Sequence, residues 1–354
     1  MGFKNKLIYI RMTKKISIKD LAKELQLSIA TVSFVINGKG EEMGISEQTI
    51  GKVIDLIRKR DYIPNNAARL LRTGKSHTIG LIVEDLGNYF FGNVAKVIEL
   101  EASKRGYNVF LCSTDNNAKT AKELIRKMRN SSVDGLIITP TKGLKDELEK
   151  LSWDNVPYVL FDRQVSELDA NYVVLDNRKG SYDLTKHLIS NGYEDIGMVT
   201  IVNEMSQMQE RENGYKDALL EAGHTFDKSS VLKVRFDDSH EEIVDAIAKF
   251  VKKRKGLDAL FFATNYLGVY GIEALKKVKI KIPYDMAVVS FDDNDLFRLF
   301  TPSITVAAQP IREIAVQAID LLLSVIEKKE LANNSIARVI APVLIQRESS
   351  PPKL

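Results

Sequence analysis

From Thr78 onward the sequence alternates between two periodicities that belong to different secondary structures, and few folds can house that alternation. Short apolar runs, TIGLIVE, YNVFLCS, VDGLIIT, YVLFD and YVVLD, are spaced by amphipathic stretches at 91–105, 118–130 and 144–151. A second round follows, with amphipathic stretches at 180–191, 211–222, 240–254 and 266–277 around IGMVTIV, VLKVRF, ALFFAT and MAVVSF. Near-continuous apolar strands separated by helices imply parallel sheets covered on both faces. Two rounds predict two doubly wound subdomains, an α/β architecture. Ligands of such sheets bind beyond the carboxyl ends of the strands. The strand-end residues are therefore the pocket candidates: Asp85, Asp162, Arg163, Asp176, Asn177, Thr264, Asn265, Asp292 and Asp293. Asp176 and Asp293 suit helix capping equally well.

The stretch before this is built differently. Residues 17–37, SIKDLAKELQLSIATVSFVIN, read as two short helices joined by a tight turn. Ser17 can cap the first helix, with Asp20 at the capping-box position and at the positive end of the helix dipole. Ile18, Leu21, Ala22 and Leu25 recur at helical spacing. Gln26 and Leu27 turn the chain, and Ser28 can cap the second helix. There Val32 and Ile36 are expected to point inward, and Ile29, Ala30, Ser33, Phe34 and Asn37 outward. A short helix with small, polar and aromatic residues outward, braced by a preceding helix, has the shape that enters a DNA major groove. Ser46 can cap a third helix whose Ile50, Val53, Ile54 and Ile57 close a three-helix core. Lys52, Arg58, Lys59 and Arg60 form a solvated or phosphate-facing surface. Residues 1–75 hold 15 Lys and Arg against 7 Asp and Glu, a net of +8, whereas the remainder holds 36 against 40, a net of −4. A basic head on a mildly acidic body implies that the head meets a polyanion.

The pattern D-L-A-x-x-L-x-x-S-x-A-T-V-S-x-V-I-N at 20–37, followed by YIPNNAARLLRTGKSHTIGLIV at 62–83, resembles the lactose-repressor/galactose-repressor family of bacterial transcription regulators. The resemblance runs from about Ile16 to Arg347. It implies a helix-turn-helix domain at 1–63 that contacts double-stranded operator DNA through Ser28, Ile29, Ala30, Thr31, Ser33, Phe34 and Asn37. It implies a hinge helix and linker at 64–75 that folds on DNA, with Asn65, Ala68, Leu71 and Arg72 at the duplex. A pair of such helices from a homodimer (a tetramer is the alternative) would wedge leucines into the minor groove. The core would comprise subdomain 1 at 76–176 and 305–340 and subdomain 2 at 177–304 and 341–348, with 349–354 as a tail. The family places an aromatic, here Phe90 or Phe91, an arginine, here Arg211, and a carboxylate, here Asp292, against a small effector in the cleft. Phe90 also suits a core position. Met12, followed by TKKISIKDLA, matches the family's usual start, so residues 1–14 are expected to be disordered. Two departures stand out. Thr264-Asn265 replaces the usual Asn-Asp pair, and Phe34 replaces an arginine many members carry, which points to different operator bases.

Composition excludes several classes. At 354 residues with 44% apolar and 28% charged side chains, this is a globular chain long enough for two or three domains. No run reaches a membrane span, and LIYI at 7–10 is too short for a secretory core. The single Cys112 precludes an intrachain disulfide and fits a reducing cytoplasm. No G-x-G-x-x-G, G-x-x-x-x-G-K-[ST] or H-E-x-x-H occurs, and His77, His187, His224 and His240 are scattered, with His187 read as a surface or packing residue. Neither an enzyme nor a cofactor is expected. The expectation is a transcriptional regulator, most simply a repressor, controlled by a sugar or sugar derivative. The alternative is a cytoplasmic sugar-binding or sugar-modifying protein whose basic head is only structural.

Overall fold

The structure is a computed structural model that describes residues 16–62, 70, 74–165, 167–202, 206–327 and 335–353. Residues 1–14 and the hinge candidates Asn65, Ala68, Leu71 and Arg72 lie outside the described residues. The chain divides into two units, one ending at Ser76 and one starting at His77.

The first unit holds α1 (Ile18–Glu24), α2 (Ile29–Ile36) and α3 (Glu47–Lys59). Ser17 Oγ accepts the Asp20 N–H at 3.3 Å while Asp20 Oδ2 accepts the Ser17 N–H at 2.8 Å, so both halves of the capping box form. Gln26 takes a left-handed φ of 56°, and Leu27 N–H returns to the Ala22 carbonyl, which turns the chain into α2. Leu21, Ala22, Val32, Val35, Val53 and Leu56 form the core. One inward assignment needs correction: on α3 Leu56 is buried whereas Ile54 is 37% exposed. On α2 Val35 joins Val32 in the core, and Ile36, half-buried, packs against it. Both helices use the three-residue step along their stripe, and helical spacing alone does not separate i+3 from i+4.

The second unit contains two six-stranded sheets. The first is built from β1 (Thr78–Val83), β2 (Asn108–Ser113), β3 (Gly135–Ile138), β4 (Tyr158–Phe161), β5 (Tyr172–Leu175) and β11 (Ala337–Ile340), in the order β11-β5-β4-β3-β1-β2. The second is built from β6 (Ile196–Ile201), β7 (Val231–Val234), β8 (Ala259–Phe262), β9 (Ala287–Phe291), β10 (Thr305–Ala308) and β12 (Val343–Ile345), in the order β12-β10-β9-β8-β6-β7. Among the described residues, the one antiparallel pairing is β10 with β12. Between strands run α4 (Tyr89–Lys104), α5 (Ala118–Asn130), α6 (Lys145–Trp153), α7 (Asn177–Ser190), α8 (Ser206–Glu221), α9 (His240–Lys253), α10 (Asn265–Lys277), α11 (Asp295–Leu299) and α12 (Ile311–Ile326). Central strands such as β1, β3, β4, β8 and β9 are buried throughout, as continuous apolar runs require. Edge strand β2 is not: Phe110 is 49% and Leu111 39% exposed, and Cys112, read as a core residue, is half-buried.

Two boundaries differ from expectation. The family resemblance puts residues 305–308 in the first subdomain, but β10 pairs with β9 in the second sheet, and the chain returns to the first only with α12. Residues 349–353 are not a free tail. Val288 N–H donates to the Ser349 carbonyl at 3.0 Å, Ser350 Oγ lies 2.7 Å from Thr305 Oγ1 and 2.8 Å from His187 Nε2, and both serines are buried. His187 is accordingly buried as well, and desolvation lowers its pKa.

One glycine sets the position of α8. A Cβ on Gly214 would fall 2.1 Å from the Arg178 carbonyl oxygen on α7, so these helices pack backbone against side-chain-free backbone. Gly214 lies one turn beyond Arg211. We expect Gly214→Ala to force the helices apart and destabilise the core by about 3 kcal/mol or more, at the upper end of overpacking costs. Urea denaturation of the full chain measures this; a loss under about 1 kcal/mol would mean the helix pair relaxes freely.

Candidate functional site

In the head, the residues expected to face outward are not equally available. Ile29 is 47% exposed, and Ala30 and Asn37 are exposed, whereas Thr31, Ser33 and Phe34 are half-buried. Ser28 Oγ accepts the Thr31 N–H at 3.0 Å and lies 2.8 Å from Thr31 Oγ1, so both hydroxyls are engaged in capping α2. Asn37 Nδ2 donates to the Ser33 carbonyl at 2.6 Å and closes the other end of the helix. The surface left open is the first turn of α2, led by Ile29.

In the core unit a cleft opens between the carboxyl ends of the two sheets. Its floor carries two matching turns. Phe161 ends β4 and Phe291 ends β9, and the next residues, Asp162 and Asp292, take left-handed φ values of 67° and 66°. Aspartate tolerates this region. Each anchors itself through its backbone N–H, to the Val173 carbonyl at 3.1 Å and the Ala307 carbonyl at 2.9 Å. Both carboxylates line the cleft.

Each carboxylate has a guanidinium. Arg163, 6% exposed, pairs with Glu84 and with Asp162 at 3.1 Å, and also donates to Asn116 Oδ1 and the Pro140 carbonyl. Arg211, 3% exposed, comes from the first turns of α8. Its Nε donates to Asn177 Oδ1 at 2.8 Å, and its Nη1 donates to the Ala263 carbonyl at 2.6 Å and to Asp292 Oδ2 at 3.4 Å. Its guanidinium carbon lies 3.7 Å from the Phe291 ring centroid. Gln309 Nε2 donates to the other Asp292 oxygen at 2.6 Å. Burial pushes the Asp162 carboxyl up to about 6; Arg163 and Arg211 oppose this, and Glu84 and Asp292 add to it. Asp162 and Asp292 face the same cleft from opposite sheets. Its internal cavity of about 60 Å³ has room for a few waters only.

The strand-end candidates divide cleanly. Asp162, Arg163, Arg211, Thr264, Asn265 and Asp292 meet at the cleft, with Phe90 and Phe91 beside them. Phe90 also stacks on Phe161 at 6.0 Å, so it is both core and lining. Thr264 Oγ1 caps α10 by accepting the Leu267 N–H. Asp85 is a correction: it is exposed, and its Oδ1 accepts the Gly87 N–H at 2.7 Å, while Glu84 faces the cleft instead. Asp176 caps α7 through the Lys179 N–H, and Asp293 forms a two-pronged pair with Arg347 at 2.9 and 2.7 Å. The sequence reading missed Glu84, Tyr266 and Gln309. Gln309 follows β10 as Asp292 follows β9, so the strand-end rule would have found it had β10 been counted.

The profile described as "Periplasmic binding proteins and sugar binding domain of LacI family" matches residues 76–348. That described as "Bacterial regulatory proteins, lacI family" matches residues 17–65. The chain belongs to the LacI family. It is 32% identical to the HTH-type transcriptional regulator RegA of Clostridium saccharobutylicum over 338 residues, covering 94% of this chain and 99% of that protein. Among solved structures, the transcriptional regulator CelR in complex with cellobiose matches with TM-score 0.70 and 25% identity, over 94% of this chain and 99% of that one. The lac repressor dimer bound to operator and the anti-inducer ONPF matches with TM-score 0.81 over 96% of this chain and 100% of that one, at 19% identity, a likeness of fold. This LacI-family protein is thus a DNA-binding transcriptional regulator whose control is exerted by a small effector, and not an enzyme. No helix among its described residues is long and apolar enough to cross a membrane.

The Asp162 environment makes stability depend on pH. A folded-state pKa raised from 3.8 to about 6 means the folded chain keeps a proton that the unfolded chain has lost. Stability therefore falls as pH rises from about 4 to about 6, and the penalty persists above. Asp162→Asn should be more stable than wild type above pH 6, by at most roughly 3 kcal/mol, and equal to it near pH 4. Urea melts at both ends of the window decide this; a pH-independent difference would show that Asp162 titrates normally.

Proposed function

We propose that the protein is a homodimeric repressor whose operator affinity is set by a sugar or sugar derivative held in the cleft by Arg211, Asp292, Asp162 and Asn265. The observation that carries this is the Arg211–Asp292 pair, a donor and an acceptor presented side by side next to the Phe90 and Phe91 rings. Hydroxyl pairs are gripped by charged groups of both signs, and aromatic rings cover a sugar's apolar face. The cellobiose in the CelR complex supports the same ligand class. Because the cavity is small, ligand entry requires the subdomains to part and close again, and only a ligand with differential contacts can shift that equilibrium. A head that reads DNA supports a cytoplasmic location.

On the DNA side, Ile29 and Ala30 lead the surface that enters the major groove, and Phe34 contributes its exposed edge. Leu71, with Asn65, Ala68 and Arg72, is assigned to the minor groove by the hinge sequence. One short reading helix supplies few base contacts, so a dimer on a pseudo-palindrome is required. Exposed Leu100 on α4, which packs along β2, and Phe110 and Leu111 on that edge strand offer apolar surface for the second copy.

Operator affinity should fall steeply between low and moderate salt as Lys and Arg displace counterions. Selection from random DNA should show altered base preference for Ile29→Ala, while Lys52→Ala weakens all sequences alike. An unchanged preference for Ile29→Ala would remove it from base reading. In the cleft, Asp292→Asn should weaken sugar binding tenfold or more, since a charged hydrogen bond contributes about 1.5–3 kcal/mol. Calorimetry measures this, and gel shifts should show DNA affinity without ligand unchanged. Wild-type sugar affinity in Asp292→Asn would place the effector elsewhere.

A further inference from the structure

We infer that the cleft selects an uncharged polyhydroxyl ligand and rejects the phosphorylated or carboxylated form of the same sugar. This rests on the cleft being the effector site, and it follows from how the cleft's charges are already partnered. The lining carries three carboxylates, Glu84, Asp162 and Asp292, against two guanidiniums, Arg163 and Arg211. No lysine or histidine joins them among the described residues. Even with Asp162 protonated, each guanidinium keeps one carboxylate.

Neither guanidinium is left as an open anion site. Arg163 is enclosed by Glu84, Asp162, Asn116 and the Pro140 carbonyl. Arg211 spends Nε and Nη1 on Asn177, Ala263 and Asp292 and lies against the Phe291 face. Its Nη2, without a hydrogen-bond partner among the described residues, is a donor suited to a hydroxyl oxygen. An incoming phosphate would have to displace a buried carboxylate or sit beside it, and like charges a few ångströms apart in a poorly solvated site repel strongly. Helix N-termini, the usual alternative for anions, are occupied at two of the places that face the cleft. Asn88 Oδ1 accepts the Phe90 N–H at the start of α4, and Thr264 Oγ1 accepts the Leu267 N–H at the start of α10. A neutral polyol meets no such conflict: its hydroxyls donate to carboxylate oxygens and accept from Nη2.

The test titrates inorganic phosphate and sulfate into the full-length protein at constant ionic strength, read by calorimetry and thermal shift. Wild type, Arg211→Gln and Arg163→Gln should respond alike, because any anion binding belongs to the basic head. Asp292→Asn and the double variant Glu84→Gln/Asp162→Asn each free a guanidinium of its carboxylates and should gain at least tenfold in phosphate affinity. Phosphate binding in wild type that is lost in Arg211→Gln or Arg163→Gln would overturn the inference, as would its failure to appear in both freed variants. A second arm compares glucose, ribose and cellobiose with glucose 6-phosphate, ribose 5-phosphate and glucuronate. Any stabilising compound should be neutral and bind at least a hundredfold more tightly than its charged counterpart. A tighter charged compound that Asp292→Asn or Arg211→Gln abolishes would refute neutral selection while leaving the cleft as the site. A neutral compound indifferent to both substitutions would remove the cleft assignment itself.

Discussion

A guanidinium buried to 3% exposure is tolerable only if its charge and most of its N–H groups are answered, and the answers to Arg211 organise the second subdomain. Asp292 comes from the turn after β9, the Ala263 carbonyl from the end of β8, Asn177 from the start of α7, and the Phe291 ring from β9 itself. Arg211 arrives on α8, and α8 reaches that spot because Gly214 lets it approach the α7 backbone. One side chain therefore fixes the relative position of two helices and two strand ends. Removing its carboxylate leaves a buried cation facing only dipoles, while removing the arginine leaves Asp292 with Gln309 alone.

The residues that hold this pair are the same ones through which the chain passes from one sheet to the other. Asn177 lies where the chain leaves β5 of the first sheet for α7 on the second, and Gln309 lies where it leaves β10 of the second for α12 on the first. Asn177 grips Arg211 and Gln309 grips Asp292. A ligand that takes over an oxygen of Asp292 competes with a hydrogen bond from a crossover segment. Under the proposed cleft assignment, binding and crossover geometry would be linked by direct contact, the kind of differential interaction that can bias one subdomain arrangement over another.

Most regular elements were legible because periodicity is a local property: α5, read as 118–130, is Ala118–Asn130, and TIGLIV is β1. What the sequence did not disclose depends on partners far along the chain. TVAA carries no mark of which sheet it will join; it lies between β9 and β12, a strand contributed from much later in the chain. SSPPK reads as a solvated tail, yet Ser349 and Ser350 are buried because their hydroxyls and backbone complete hydrogen bonds around Val288 and Thr305. At the cleft the strand-end rule found the right turns but not the register. In a strand, one residue decides the face, so Glu84 turns inward and its neighbour Asp85 turns out to cap Gly87. The roles of Asp162, Arg211 and Asp292 as neighbours are likewise a matter of two turns and a helix that only the packed sheets bring together.

The two Phe-Asp turns show how a duplicated architecture comes to serve unequal roles. Both halves solve the same local problem in one way: an aromatic ends the strand, and an aspartate in the left-handed region swings its carboxylate into the cleft. They differ in where the counter-charge comes from. Asp162 is paired with the next residue in sequence, and Arg163 and Glu84 both belong to the first sheet's strand ends, so this cluster moves as part of one subdomain. Asp292 takes its arginine from a helix of its own subdomain and its amide from a crossover, so one of its partners lies where the chain passes between the sheets. Physically, the first cluster is a wall confined to one sheet's strand ends, and the second is the part tied to a crossover through Gln309. A neutral ligand bridging the two would be oriented by the wall and would act on the hinge through Asp292.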